Sequence, residues 1–309
     1  MRILVTGGAG FIGSHIVDAY VDAGHEVAVL DNLSTGLKEN LNDKAKFYEM
    51  DLRDPSLAEV FDREKPEVVN HHAAQMSVKV STEDPLFDAD VNIIGTLSLL
   101  ECCKNAGVKK MVYSSSGGTV YGEPTRLPLD EAHRLVPISP YGVSKLAGEY
   151  YFGSYVSSWG MECVVLRYAN VYGPRQRPHG EAGVVAIFCI ELLAGRAPFI
   201  HWDGEQQKDY VFVEDCVRAN LAALAPGASG VFNIGAGVGT SVNELYRRIS
   251  EYLNVSHIKP KQGPMRTGDV RKIYLDTSKA REGLGWEPSV SLEEGLRRTA
   301  DFFRDRARA

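Results

Sequence analysis

The segment SPYGVSKLAGEYY, residues 139–151, sets Tyr141 four positions ahead of Lys145. On a helix that spacing brings both side chains to one face. An ammonium fixed beside a phenol favours the phenolate and draws its pKa down from about 10, which makes the tyrosine a candidate general base. Ser139 can cap such a helix, and Pro140 suits its first position. Aromatic and basic residues also meet at this spacing on many ordinary helices, so the rest of the chain decides what the pair does.

A second constellation lies near the start. ILVTGGAGFIGSH, residues 3–15, places Gly7, Gly10 and Gly13 between an apolar strand and an amphipathic helix. Glycines there permit a tight turn and close backbone approach, so a pyrophosphate can sit at the helix N-terminus. Asp31 ends the next strand about 20 residues on, where a carboxylate can bind a ribose diol. It would repel a 2′-phosphate, and no arginine follows it directly, so the pattern favours NAD over NADP. No Walker lysine is present, which argues against a P-loop enzyme. A third cluster, YSSSGGTVYG at 113–122, brings Ser114, Ser115, Ser116, Thr119 and Tyr121 to the end of another strand, at the sheet edge where such folds bind ligands.

These residues need a scaffold. The runs RILVTG, EVAVLD, AKFYEM, EVVNHHAA and KKMVYSSS alternate with amphipathic segments, the rhythm of an α/β fold with a Rossmann-type doubly wound parallel sheet. ECVVLRYANVYG adds a strand, and composition then shifts at PRQRPHGEAG, giving a boundary near 173. The expected organisation is a dinucleotide-binding domain over 1–172, with segments returning from about 210–238 (DYVFV and GVFNIG), and a smaller C-terminal α/β substrate-binding region over 173–309.

A chain of 309 residues, 44% hydrophobic, suits one large domain or two coupled ones. Its net charge of -6, with no basic cluster, argues against nucleic acid as a partner. The most apolar stretch, GVVAIFCIELLAG at 183–195, is too short to span a bilayer and contains Glu191, so it reads as a packed helix and no membrane partner is expected. MRILVTGG passes directly into a strand and leaves no room for a signal peptide, so a cytoplasmic location is expected. Five cysteines without C-x-x-C spacing read as reduced core thiols. His71 and His72, adjacent on a strand, point to opposite faces and cannot jointly hold a metal.

With these motifs in hand, the chain resembles the extended short-chain dehydrogenase/reductases, and within them the UDP-glucose 4-epimerases and their nucleotide-sugar relatives. The resemblance spans nearly the whole sequence: TGGAGFIGSH, Asp31-Asn32, DLRD at 51–54, AA at 73–74, NIIGT at 92–96, SSSGGTVYG, YGVSK, LRYANVYGPRQ, DGEQQKDYVFVEDC, RTGDVRKIYLDTSKA and LGWEP. It implies NAD as cofactor, contacted by Gly7, Gly10, Phe11, Ile12, Gly13, Asp31, Asn32, Asp51, Leu52, Ala73, Ala74, Asn92, Ser114, Tyr141, Lys145 and Tyr168. Tyr141 is then the base, Lys145 the residue that binds the nicotinamide ribose and lowers the phenol's pKa, and Ser116 the hydroxyl beside the sugar 4-OH. SSSGGTVYG is one residue longer than the commoner SSSATVYG, so Ser115 and Thr119 stay open as alternatives. A UDP-sugar partner would meet Ser116, Tyr141, Asn170, Val184, Val185, Lys208, Arg266 and Asp269.

The implied reaction is inversion at C4 of a UDP-hexose through a transient 4-keto sugar. A 4,6-dehydratase would carry an acid-base carboxylate pair after the serine, where this chain has Gly117 and Gly118. A UDP-uronate substrate is the alternative, with Arg175 and Arg177 pairing to its carboxylate. A catalytically dead NAD-binding protein would usually have lost Tyr141 or Lys145. Lys208 replaces a usual arginine and cannot form a two-pronged phosphate contact, a role then open to Arg175 or Arg177. His72 replaces a usual leucine or phenylalanine and reads as local packing. Ile273, four residues after Asp269, is shorter than the tyrosine that excludes N-acetyl groups in related epimerases, so N-acetyl sugars are expected as substrates too. The resemblance also implies a homodimer through helices at 83–106 and 141–158.

Overall fold

The computed structural model describes residues 1–178, 183–265 and 270–308. Six strands in the first half, β1 (Arg2–Thr6), β2 (Glu26–Asp31), β3 (Lys46–Glu49), β4 (Val68–His71), β5 (Lys110–Ser116) and β6 (Glu162–Tyr168), enter one parallel sheet. Three short strands follow: β7 (Asn170–Tyr172), β8 (Phe199–His201) and β9 (Gln207–Phe212). Then β10 (Gly230–Ile234) completes the sheet in the order β10-β6-β5-β4-β1-β2-β3. Helices cover both faces, so β1, β2 and β4 are buried along nearly their whole length, as their unbroken apolar runs require. Chain order reverses between β1 and β4, and the crevice at their carboxyl ends is the ligand position of such sheets.

The remaining strands are β11 (Gly239–Ser241), β12 (Lys261–Gly263) and β13 (Lys272–Ile273). DYVFV does not return to the central sheet. Its strand β9 lies in a second sheet with β7, β11 and β13, while only GVFNI joins the first. The free edge of β6 is already taken by β10, which leaves β9 to pair with β7, the continuation of β6 past Ala169.

The helices are α1 (Phe11–Asp22), α2 (Leu57–Glu64), α3 (Val78–Glu83), α4 (Pro85–Ala89), α5 (Gly95–Ala106), α6 (Pro140–Trp159), α7 (Val184–Leu193), α8 (Val213–Ala223), α9 (Val242–Tyr252), α10 (Ser278–Leu284) and α11 (Leu292–Arg308). The helix expected over 83–106 is interrupted. Asp84, ahead of Pro85, takes non-helical angles of φ -139° and ψ 79° and caps α4, and a π turn at Asp90–Ile94 leads into α5. No described helix is long and apolar enough to cross a membrane. The apolar stretch at 183–195 forms α7, packed against α9 and α11.

Candidate active site

Helix α6 begins as its sequence predicts: the Ser139 hydroxyl accepts the Gly142 N–H at 3.1 Å, and Pro140 occupies the first turn. Two glycines let it approach the sheet. A Cβ on Gly142 would lie 2.8 Å from the Thr119 carbonyl oxygen, and one on Gly148 would lie 2.3 Å from the Tyr113 hydroxyl. This closeness carries Tyr141 to the end of β5, where its phenol lies beside the Ser116 hydroxyl. Ser115 instead donates to Glu149 at 2.5 Å, and the Thr119 hydroxyl is buried with no hydrogen-bond partner. Of the three hydroxyls left open by the sequence, Ser116 is the one on Tyr141. A Cβ on Gly118 would stand 3.4 Å from Asn170 Oδ1 and 3.9 Å from Ser116 Oγ, so Asn170 and Ser116 flank one small residue.

Charge differs from the sequence expectation. Burial pushes the Tyr141 phenol above its usual range, the Asp88 carboxylate adds to this, and the Ser116 hydroxyl only partly opposes it. In the chain alone burial therefore outweighs the expected lowering by lysine, and Tyr141 is a neutral phenol. Lys145 lies 4.6 Å over the Tyr113 ring, and burial lowers it to about 8 while the Glu149 and Asp88 carboxylates hold it up. His71 spans Thr6 (2.7 Å) and Thr96 (2.9 Å), whereas His72 stacks on Tyr168, and burial with the nearby Lys145 keeps both imidazoles neutral.

The glycine loop lies across the switch point. Gly7 takes φ 72°, and a Cβ there would lie 2.6 Å from the Ala73 nitrogen. A Cβ on Gly13 would lie 2.2 Å from the Gly7 carbonyl oxygen. Gly10 starts α1 without a side-chain cap, leaving the first N–H groups of the helix to a ligand. Phe11, Ile12, Ala73, Ala74 and Ser114 are half-buried around this crevice. Asp31 accepts N–H groups from Ala9 (3.0 Å) and Leu33 (2.8 Å), and burial raises its carboxyl. Asn32 donates to Asp51 at 2.7 Å, and Arg53 beside Asp51 holds that carboxyl well below the usual range. Leu52 is buried close to Gly95. These residues fit a dinucleotide: the loop is kept open only by glycine, and a carboxylate stands at the end of β2.

Several expected contacts have other duties. The buried Asn92 amide donates to Gln75 (2.9 Å), Asp88 (3.0 Å) and Ser144 (3.1 Å) and accepts the Gln75 N–H (2.9 Å), so it ties α6 to the π turn. The Tyr168 hydroxyl accepts from Asn220 at 2.6 Å inside the core, and only its carbonyl, which accepts the Gly117 N–H at 2.8 Å, faces the serine loop. Val185 packs wholly within the core, leaving Val184 half-buried beside it. Lys208 donates to the Val270 carbonyl at 2.7 Å. Arg175 pairs with Asp18 of α1 at 2.7 Å and Arg177 donates to the Thr35 carbonyl at 3.0 Å, because the positive φ of Arg175 (66°) turns the chain toward α1. Ile273 is 3% exposed and packs among Val120, Leu146 and Leu275. Arg266 and Asp269 lie outside the described residues.

Sequence reasoning passed over four buried charges. Asp88 sits beside Tyr141 and Lys145. Glu149 and Arg167 form an ion pair at 2.6 Å. Asp209 accepts N–H groups from Ala236 (2.7 Å), Gly237 (3.1 Å) and Leu275 (3.1 Å), joining the two sheets, and burial lifts it to about 6. The signal for Glu149 was present in its place four residues after Lys145, on the same helical face.

Comparison with known proteins agrees with this geometry. Residues 4–299 match the family described as GDP-mannose 4,6 dehydratase. A UDP-glucose 4-epimerase of Mycolicibacterium smegmatis is 48% identical, over 99% of this chain and 100% of that protein. The crystal structure of a UDP-glucose 4-epimerase with UDP-glucose from Thermotoga maritima superposes with a TM-score of 0.97 at 51% identity, covering 99% of this chain and 100% of that one. A Thermus thermophilus UDP-glucose 4-epimerase in complex with NAD gives 0.94 at 45% identity, over 98% and 99% of the two chains.

Proposed function

This chain belongs to the UDP-glucose 4-epimerase family of NAD-dependent nucleotide-sugar epimerases and dehydratases, and from that membership we propose that it inverts C4 of a UDP-hexose. The observation that carries the reading is the Tyr141–Ser116 hydroxyl pair, set beside Gly117 and Gly118 where an elimination would need carboxylates.

The glycine loop and Asp31 would hold NAD, which when bound would supply the hydride acceptor for C4 and a positive charge that favours the phenolate. Ionised in that setting, Tyr141 takes the proton of the 4-hydroxyl and later returns it. Ser116 holds the same oxygen, and Lys145, charged below about pH 8, stabilises the phenolate. Asn170, Arg266 and Asp269 would hold the nucleotide while the 4-keto ring turns its other face, and Lys208 could join them only by leaving the Val270 carbonyl. The uronate alternative relied on Arg175 and Arg177, whose guanidinium groups are engaged at Asp18 and Thr35.

The test incubates the purified protein with UDP-galactose, UDP-glucose, their N-acetyl forms and UDP-glucuronate, with products read by NMR. Interconversion of UDP-glucose and UDP-galactose is expected, with NAD released on denaturation. A 4-keto-6-deoxy product, faster turnover of UDP-glucuronate, or NADP as the released nucleotide would each overturn the reading.

A further inference from the structure

Tyr141, Lys145 and Glu149 recur every four residues along α6 and form one row against the sheet. Resting on the epimerase reading, we propose that Glu149 is a positioning residue for the reaction. Clamped by Arg167 and Ser115, its carboxylate fixes the Lys145 ammonium and the register between Tyr141 and Ser116.

The geometry is continuous. Glu149 Oε1 accepts from the Ser115 hydroxyl at 2.5 Å and from Arg167 Nε at 2.9 Å, while Oε2 accepts from Arg167 Nη2 at 2.6 Å. Both charged side chains are 4% exposed. Arg167 Nη1 donates to the Tyr121 hydroxyl at 2.9 Å, and Tyr121 donates to Asn233 of β10 at 2.7 Å. One chain of hydrogen bonds thus runs from β5 through α6 and β6 to β10. Its first member is the residue immediately before Ser116. A well-packed apolar pair would hold α6 to the sheet without the desolvation penalty of two buried charges, so packing alone does not explain the choice of residues.

The charge balance points the same way. Lys145 is faced by Asp88 from α4, Glu149 and Tyr141 from α6, the Tyr113 ring from β5, and His71 and His72 at the end of β4. Both imidazoles are neutral, so Asp88 and Glu149 are the anions of this set. Asp88 is engaged by the amides of Gln75 and Asn92, whereas Glu149 is held by the Arg167 guanidinium one helical turn from Lys145, on the same face of α6. Without its charge, the buried Arg167 guanidinium loses its ion-pair partner and Lys145 loses one of the two carboxylates that favour its ammonium.

Glu149→Gln preserves shape and removes the charge. We expect kcat to fall by at least about tenfold with little change in KM for the UDP-sugar, and the alkaline limb of the kcat profile to move to lower pH as Lys145 loses its proton earlier. An NMR titration of ε-13C-labelled lysine, with the Lys145 signal identified by its loss in Lys145→Arg, should show the same downward move without any turnover. Ser115→Ala leaves the ion pair whole and should lower kcat while the alkaline limb stays in place. A Glu149→Gln enzyme that only melts earlier, with kcat, pH limb and Lys145 titration as in the wild type, overturns the proposal. Should that variant not fold, Glu149→Asp decides, since it keeps the charge and draws it back by one methylene: unchanged kcat overturns the proposal and reduced kcat supports it. A wild type inactive on every UDP-hexose would refute the epimerase reading, and the Lys145 titration would still judge this one.

Discussion

At the scale of residues, burial moves the titration of a phenol upward and that of an ammonium downward. Tyr141→Phe keeps the half-buried ring and removes only the oxygen beside Ser116. We expect its thermal midpoint to stay close to the wild type and its kcat to drop by far more than tenfold. A variant retaining more than about a tenth of kcat, under about 1.4 kcal/mol in barrier, would refute the base assignment. The pH dependence follows from Lys145, which burial lowers to about 8 from 10.5. Activity that needs the ammonium is full below about pH 8 and falls as pH rises through it. Stability runs the other way. Between 8 and 10.5 the unfolded chain holds this proton more tightly than the folded one, so the penalty of burying the charge, on the order of 3 kcal/mol, is fully felt below 8 and fades as pH rises. Denaturant melts of cofactor-free wild type and Lys145→Met across pH 7–10 should therefore show the wild type gaining relative stability as its activity falls. A parallel pH dependence of the two proteins would refute this account.

Among elements, the loop between β1 and α1 is the most constrained. A Cβ on Gly13 meets the Gly7 carbonyl oxygen at 2.2 Å, and that oxygen cannot withdraw without opening the turn. Gly13→Ala should lose NAD binding in a calorimetric titration and cost about 1–3 kcal/mol of stability. Gly153→Ala is the control. That glycine lies exposed in α6, and a methyl group there would meet nothing within 4 Å, so alanine should stabilise by about 0.5–1 kcal/mol. Normal NAD affinity in Gly13→Ala would show that the turn can relax. These elements differ in how plainly the sequence announced them. The Ser-Pro start of α6 and the glycine loop are local signals, and the structure follows them. The break at Asp84-Pro85 is equally local, and the helix over 83–106 that the resemblance implies passes over it. The position of β9 depends on which sheet edge remains free, and no stretch of sequence states that. Asn92 and Tyr168 have the right types for cofactor contact, but their hydrogen bonds reach residues far along the chain, Ser144 and Asn220, so their duty as struts shows only in three dimensions.

On the scale of the whole molecule, the outer surface of the helices that carry the site is strongly apolar. Leu86 is 82% exposed, Tyr150 67%, Trp159 52% and Ile94 51%, and the elements bearing them, α4, the π turn and α6, pack side by side. Scattered apolar side chains are ordinary on a surface, but a cluster on adjacent helices marks an association site. Two such faces related by a two-fold axis would form a four-helix bundle and bury all of them. We therefore expect a homodimer, with light scattering at micromolar concentration giving about twice the chain mass of 33.9 kDa. A glutamate at the centre of that contact must be desolvated beside its symmetry mate, so the double variant Leu86→Glu, Tyr150→Glu should shift the mass toward the monomer. The same helix α6 presents Tyr141 on its inner side and Tyr150 on its outer side, so the partner would brace the element that positions the base. The monomeric variant should then lose kcat while its far-ultraviolet circular dichroism stays unchanged. A wild type that is monomeric at micromolar concentration would refute the dimer, and a monomeric variant with full kcat would show that α6 needs no bracing from outside.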